Sequence, residues 1–446
     1  MADESQPPAP VDTSVRDRLT EWQAVLAPLD VPQIVDELGR TDSTDRALAF
    51  RVLSKDLALE VFEDLDPALQ RELLEAMRDD ATAELFEGLD PDDRAQLLEE
   101  MPAAVVARLL SGLSAHERSL TTTLMGYPPK SVGRRMSPEV VSVHAGATVG
   151  EALARIRRRG ATAETIYLIP VVGTGRRVVG VVSLRRLFVT DDDTLVTEVM
   201  SDPVMVDARA DQEIAARVVR DNGMLAVPVV DTEARLLGIF TVDDAMRVLE
   251  RAETEDAALT GGSAPLRRPY LSVGLLGLVR ARIAWLLVLV VAASLTVRVL
   301  DHFEATIEQV VTLALFVPLL IGTGGNAGAQ AATTVVRAMA VGDVRPADWL
   351  RVIAREAITG MVLGLVLAAI GLAPAALFAG WEIALVLALS VVFVCTLATT
   401  MGALIPVIAA RVGLDPAVVS APFITTTVDA TGLIIYFLVA RAVLGL

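Results

Sequence analysis

One cysteine and three histidines are all that 446 residues hold in the way of soft or nitrogen metal ligands. Cys395 sits inside an apolar run, so neither a disulfide framework nor a CxxC zinc site can form, and it reads as a small packing residue. His116, His144 and His302 fall in separate segments, which argues against a histidine metal cluster. No nucleophile–His or His/Cys/Asp grouping appears, so an enzyme is the weakest functional class. Residues Met1–Pro10 are polar and Pro-rich without an apolar core, which reads as a disordered tail over 1–14 and not as a cleaved signal peptide.

Basic residues are the next shortage. The chain has 39 against 56 acidic residues, and the deficit is one-sided. Residues 1–265 carry 28 basic and 47 acidic side chains, whereas 266–446 carry 11 Arg, no Lys and 9 acids. A field of that sign excludes nucleic acid as a partner and concentrates cations, besides keeping the surface soluble. The length calls for several domains.

After Gly261-Gly262-Ser263-Ala264-Pro265 the chain turns apolar, with spans expected at about 281–300, 306–337, 352–378, 383–410 and 420–443. Each is long enough for a hydrocarbon core of about 30 Å. Arg267, Arg268, Arg280 and Arg282 precede the first span; Arg337, Arg345, Arg351 and Arg355 surround the link between second and third; Arg411 follows the fourth. Asp301, Glu304 and Glu308 lie between first and second. This asymmetry puts the N-terminal part inside and, with five spans, the C-terminus outside. Arg441 is the exception.

Three features of this half carry chemistry. Asp429 stands mid-span with no basic residue at its depth, which points to a water-filled path or a partner. The run Gly322-Thr323-Gly324-Gly325-Asn326-Ala327-Gly328-Ala329-Gln330, after Pro318, is expected to break the second span and free carbonyls beside amide oxygens. Its 324/328 glycines equally suit close helix packing. Asp415-Pro416 is a helix N-cap signal ahead of the last span, with a cation contact as a secondary role.

The N-terminal part is duplicated twice over. Met136-Ser137-Pro138 recurs as Met200-Ser201-Asp202-Pro203, and Ile-Pro-Val-Val at 169–172 recurs as Val-Pro-Val-Val at 227–230. Each copy reads as strand, helix, strand, strand, helix, and resembles a cystathionine-β-synthase (CBS) module in tandem over 131–242. Such modules commonly bind adenine nucleotides through a Ser/Thr and an Asp three residues on. Thr241 and Asp244 fit that pattern, whereas Arg186 replaces the acid after Ser183. Upstream, over 15–130, Leu65-Asp66-Pro67 recurs at Leu89-Asp90-Pro91, the signature of stacked short helices with an acidic end at Glu84, Glu87, Asp90, Asp92 and Asp93. An acidic linker helix over 243–265 joins this part to the membrane part at 266–446.

Acidic helical repeat, CBS pair, acidic linker and about five spans with GTGGN and PFITTTVDATGLIIY together resemble the MgtE family of magnesium channels. The resemblance implies a homodimer with a pore between its membrane domains and a hydrated Mg2+ at Asp429; from the residues themselves, Gly325, Asn326, Gly328, Thr425 and Asp415 are the candidate further pore contacts. It further implies closure by Mg2+ bound at Asp211, Glu213, Asp244, Glu255 and Asp256; Asp90, in the acidic end of the helical repeat, is a further candidate ligand, and the CBS pattern leaves ATP as a second ligand at Thr241 and Asp244. Gly223, Arg247 and Ala252 stand where acids are expected, and Ala329 and Ala421 where polar residues are. Mn2+, Co2+ and Ni2+ resemble Mg2+ in size. Two other readings compete with a passive channel: a proton- or sodium-coupled transporter, and a membrane-anchored nucleotide-binding regulator that conducts nothing.

Overall fold

The computed structural model describes residues 13–77, 79–99, 101–266, 268–418 and 421–446. Residues 1–12 of the expected tail, and Arg267, lie outside them. The described residues form two compact units, Met1–Ala252 with Arg267–Val273, and Glu253–Leu266 with Gly274–Leu446.

Among the described residues the first unit begins with nine helices: α1 Thr13–Leu26, α2 Val31–Arg40, α3 Ser43–Phe50, α4 Lys55–Asp64, α5 Pro67–Ala76, α6 Asp79–Gly88, α7 Pro91–Glu99, α8 Ala103–Gly112 and α9 Ala115–Met125. Their starts follow from the caps. Asp66 accepts the Ala68 N–H at 3.1 Å with Pro67 in the first helical position, where no N–H is needed. Asp30/Gln33 and Ser114/Glu117 close reciprocal capping boxes. Each short helix turns one apolar face inward, and Ile34, Leu38, Phe62, Leu69, Leu73, Phe86, Leu89 and Leu97 make one core. Buried Arg46 is satisfied by Leu38 O (2.8 Å), Thr41 O (2.5 Å) and Glu72 (2.5 Å).

The duplication holds strand by strand. Strands β1 Val143–His144, β2 Leu168–Val172 and β3 Val178–Ser183 form one sheet, and β4 Val206–Asp207, β5 Ala226–Val230 and β6 Leu236–Thr241 the other. In both, the first pair is parallel, the second antiparallel, and the register slips at the same place, Val171/Val172 and Val229/Val230. Helices α10 Val149–Arg159, α11 Leu184–Phe188 and α12 Val196–Val199 serve the first copy, and α13 Gln212–Asp221 and α14 Val242–Thr260 the second. Ala95 of α7 and Leu124 of α9 enter the second copy's core beside Val132, Met136, Val227 and Phe240. The helical domain is therefore joined to that copy by shared apolar packing.

The second unit holds five described helices long and apolar enough to cross a membrane: α15 Leu275–His302, α17 Thr312–Ala340, α18 Trp349–Ala379, α19 Trp381–Arg411 and α20 Ala421–Leu444, with α16 Glu304–Gln309 lying between the first two. The expected break in the second span is absent: α17 is continuous through the whole glycine run. Pro318 lacks only one N–H, so it leaves the Ala314 carbonyl without its helical donor and does not free a row of oxygens. Glycines serve close packing instead. A Cβ on Gly324 would come within 2.6 Å of Val394, and one on Gly402 within 2.4 Å of the Gly328 carbonyl. Gly380, at φ +88°, is the single residue that turns α18 into α19.

Buried Tyr436 ties α20 to α17 through Oη donating to Leu313 O at 2.9 Å. Tyr436→Phe is expected to cost about 1 kcal/mol and lower the membrane unit's melting temperature by about 2–4 °C in detergent.

Candidate cation sites

Two groups of oxygen ligands are assembled, one in each unit. In the membrane unit, Asp429 sits half-buried on α20, one turn after Thr425. Gly325 of α17 faces both: a Cβ there would lie 3.5 Å from Thr425 Cβ and 3.6 Å from Asp429 Oδ1. A missing side chain thus keeps room beside the carboxylate. Among the described residues no group hydrogen-bonds or ion-pairs with Asp429. Thr425 Oγ1 donates to Pro422 O at 2.9 Å, which leaves its lone pairs available.

Beside this point α17 presents an exposed face with Gly322, Asn326, Gln330, Thr333 and, at its end, Arg337. Amide and hydroxyl groups at that depth are costly against lipid, so this face belongs against water or protein. The glycines of the run divide: Gly325 faces Asp429, while Gly328 is buried against Ala398 O and Ile424 and is a packing residue. Asp415 Oδ1 accepts from Ala417 N at 2.8 Å, capping the 3-10 turn Pro416–Val418 ahead of α20. In the same unit, Arg337 Nη1 at the end of α17 lies 3.3 Å from Glu253 Oε1 of α14. Glu255 and Asp256 follow on the same helix, each with a partner.

In the first unit, Glu63 of α4 and Asp90 and Asp93 at the start of α7 bring carboxylate oxygens within 4.8 Å of one another. The N-terminus of α7 favours negative charge there. Asp92, only 7% exposed, has Oδ1 without a hydrogen-bond partner among the described residues. Asp243 and Asp244 open α14. Burial, then the neighbouring acids Asp93, Asp90 and Asp64, pushes Glu63 up to about 7. Burial and then Asp243 does the same for Asp244, to about 7, and burial raises Asp93 to about 6 despite Arg247. Burial, with Asp90 and Asp244 behind it, takes Glu164 to about 7. Asp92 is raised by burial and by Asp244.

These shifts have a definite sign. The folded state holds protons that the unfolded chain has released, so without divalent ions stability falls as pH rises from about 4 to about 7. The first unit's melting transition in EDTA is expected to lie higher near pH 5.5 than near pH 8. Millimolar Mg2+ should restore it at the higher pH only; equal melting at both pH values would contradict the clustering.

Of the residues singled out from sequence, Asp90 joins Glu63 and Asp93, and Asp244 joins the same acidic junction. Asp211 and Glu213 do not; Asp211 caps α13 by accepting Glu213 N at 2.8 Å, and Glu213 pairs with Arg217 at 3.3 Å. Thr241 Oγ1 donates to Asp244 Oδ2 at 3.1 Å, so a ribose there would compete with an internal hydrogen bond. Sequence reasoning missed Glu63, Glu164 and Asp243. The signal for Glu63 was the acidic pair Glu63-Asp64 directly before the Leu-Asp-Pro repeat.

Residues 317–439 match the family model for MgtE, described as a divalent cation transporter. Residues 29–130 match the MgtE intracellular N domain, and 130–192 and 196–251 the CBS domain. The magnesium transporter MgtE of Thermus thermophilus is 41% identical over 329 residues, spanning 73% of each chain. The chain belongs to the MgtE family. MgtE of Enterococcus faecalis is 36% identical over 71% of this chain and 70% of that one. A crystal structure of the cytosolic domain of the Mg2+ channel MgtE in complex with ATP is 35% identical, with a TM-score of 0.48, covering 53% of this chain and 99% of that one. The family and the fold class expected from sequence are both met: helical N domain, CBS pair and apolar helices.

Proposed function

We propose that this MgtE-family chain is a passive Mg2+ channel of the inner (plasma) membrane, working as a homodimer whose pore runs beside α17 and α20. One observation carries it: Asp429 lies at mid-span without a partner among the described residues, next to Gly325 and the exposed polar face of α17. A carboxylate and neutral oxygens in an open groove suit Mg2+, which keeps most of its water. Two copies about an axis would offer two carboxylates to one dication and cover the polar faces that lipid cannot. The arginine asymmetry supports cytoplasmic N-terminal domains and an outside C-terminus.

The sensor in this proposal is the acidic junction of Glu63, Asp90, Asp93 and Asp244; Glu255 and Asp256, in the other unit, are proposed as Mg2+ ligands in their own right. Mg2+ bound among such carboxylates screens their repulsion, and its loss weakens the hold of these acidic segments on one another.

The test is Mg2+ uptake by purified full-length protein in liposomes, driven by a Mg2+ gradient alone while cytosolic-side Mg2+ is varied. Uptake that falls as that Mg2+ rises supports a self-gated channel. Uptake that needs a proton or sodium gradient would replace the channel by a coupled transporter, and absence of uptake beside nucleotide binding would leave a non-conducting regulator.

A further inference from the structure

The acidic junction already contains a cation, and it is covalently attached. Arg247, one turn into α14, places Nη2 3.0 Å from Asp243 Oδ2 and Nε 3.9 Å from Asp244 Oδ1 on its own helix. Its Nη1 lies 3.4 Å from Asp64 Oδ1, the last residue of α4 in the helical domain. One turn further, Arg251 Nη1 reaches Gln96 Oε1 of α7 at 2.8 Å. Asp64 adjoins Glu63, whose carboxylate belongs to the Glu63, Asp90 and Asp93 cluster. Asp93 and Asp244 both hold the Arg247 guanidinium in its charged form against the effect of burial.

We propose that Arg247 is a tethered cation that holds the helical domain against the second CBS copy without bound metal, in place of one divalent ion. The inference rests on reading the acidic junction as a Mg2+ sensor and adds that part of this sensor is permanently occupied. Three carboxylates from two domains meet one guanidinium, with its fixed fork of five donors and a charge that does not leave at any physiological pH. A bound Mg2+ would do the same work but would dissociate as its concentration fell. Closure of this junction therefore depends less on Mg2+ than it would with an acid at position 247, where one more carboxylate would need a metal to neutralise it.

The experiment follows docking rather than transport, so it is informative whether or not the chain conducts. Full-length protein in nanodiscs is labelled by hydrogen exchange, in EDTA and across a Mg2+ titration, reading residues 55–99. Wild type is expected to be protected already in EDTA. R247A and R247Q should exchange at least about tenfold faster in EDTA and regain protection in millimolar Mg2+. Equilibrium dialysis should find R247E binding about one additional Mg2+ per chain; if R247E does not fold, R247Q decides alone. Protection of R247A equal to wild type in EDTA would overturn the proposal. So would a wild type unprotected until Mg2+ is added, or variants that Mg2+ fails to rescue, because arginine and metal would then not be interchangeable.

Discussion

Asp429→Ala is expected to reduce Mg2+ uptake in liposomes at least about 100-fold, to the level of empty vesicles. The size follows from Coulomb's law. Unit charges 4 Å apart attract by about 4 kcal/mol at an effective dielectric near 20. Retained water lengthens the distance, but the ion carries two charges and two copies would supply two carboxylates. Asp429→Asn separates charge from shape, since it keeps the volume beside Gly325 and removes only the negative charge. It should lose nearly as much flux as alanine. If Asp429→Asn conducts normally while alanine does not, the residue acts by packing, and a full rate in both would place the pore elsewhere. Both proteins should remain monodisperse, because among the described residues no hydrogen bond or ion pair to Asp429 is lost.

Gly402→Leu and Gly360→Leu should leave no stable membrane unit, and the alanine variants should lower its melting temperature by about 10 °C. A Cβ at 402 would lie 2.4 Å from the Gly328 carbonyl, and one at 360 would lie 2.2 Å from Thr399 Oγ1 and 2.6 Å from the Cys395 carbonyl. Backbone atoms cannot rotate aside as a side chain can, so the helices must move apart. Overpacking a well-filled core costs about 1–3 kcal/mol and more where the backbone resists. At 360 the shift also pulls Thr399 Oγ1 from the Glu356 carbonyl it meets at 2.7 Å. Gly322→Ala is the control: no atom of a neighbouring helix lies within 4 Å of the point its methyl would occupy, and its melting should match wild type. Equal losses at 322 and 402 would show that helix flexibility, not close approach, is what these glycines provide.

Sequence made the scaffold legible wherever local chemistry sets the chain's path. Asp66-Pro67 and Asp90-Pro91 begin helices because cap and proline act within one turn, and the tandem sheets followed from a repeated motif. The glycine run was harder. Gly and Pro destabilise an isolated helix, yet α17 is continuous, because its neighbours α19 and α20 close over the small residues and supply packing that no local rule contains. Asp429 stood out by being alone among apolar residues. Glu63, in the other unit's cluster, did not, since acids are plentiful in the N-terminal part and only the fold selects which of them meet. Arg247 was visible as a departure from an expected acid, but its link to Asp64, 183 positions earlier in the chain, was not.

None of the 28 residues of α15 is buried within one chain, and the helix meets the rest of the bundle chiefly along α20. For evolution this splits α15 into a lipid-facing side selected chiefly by solubility in lipid and a half-buried stripe, ending in Val299 and Leu300, that is held by packing. Exchanges among Leu, Val, Ile and Ala at its exposed positions leave no cavity and cause no clash within the chain, so lineages should drift there almost freely. Drift at Gly324, Gly360 and Gly402 should be nearly frozen. A saturation library scored for growth would show these two regimes as a flat stretch followed by isolated, intolerant positions.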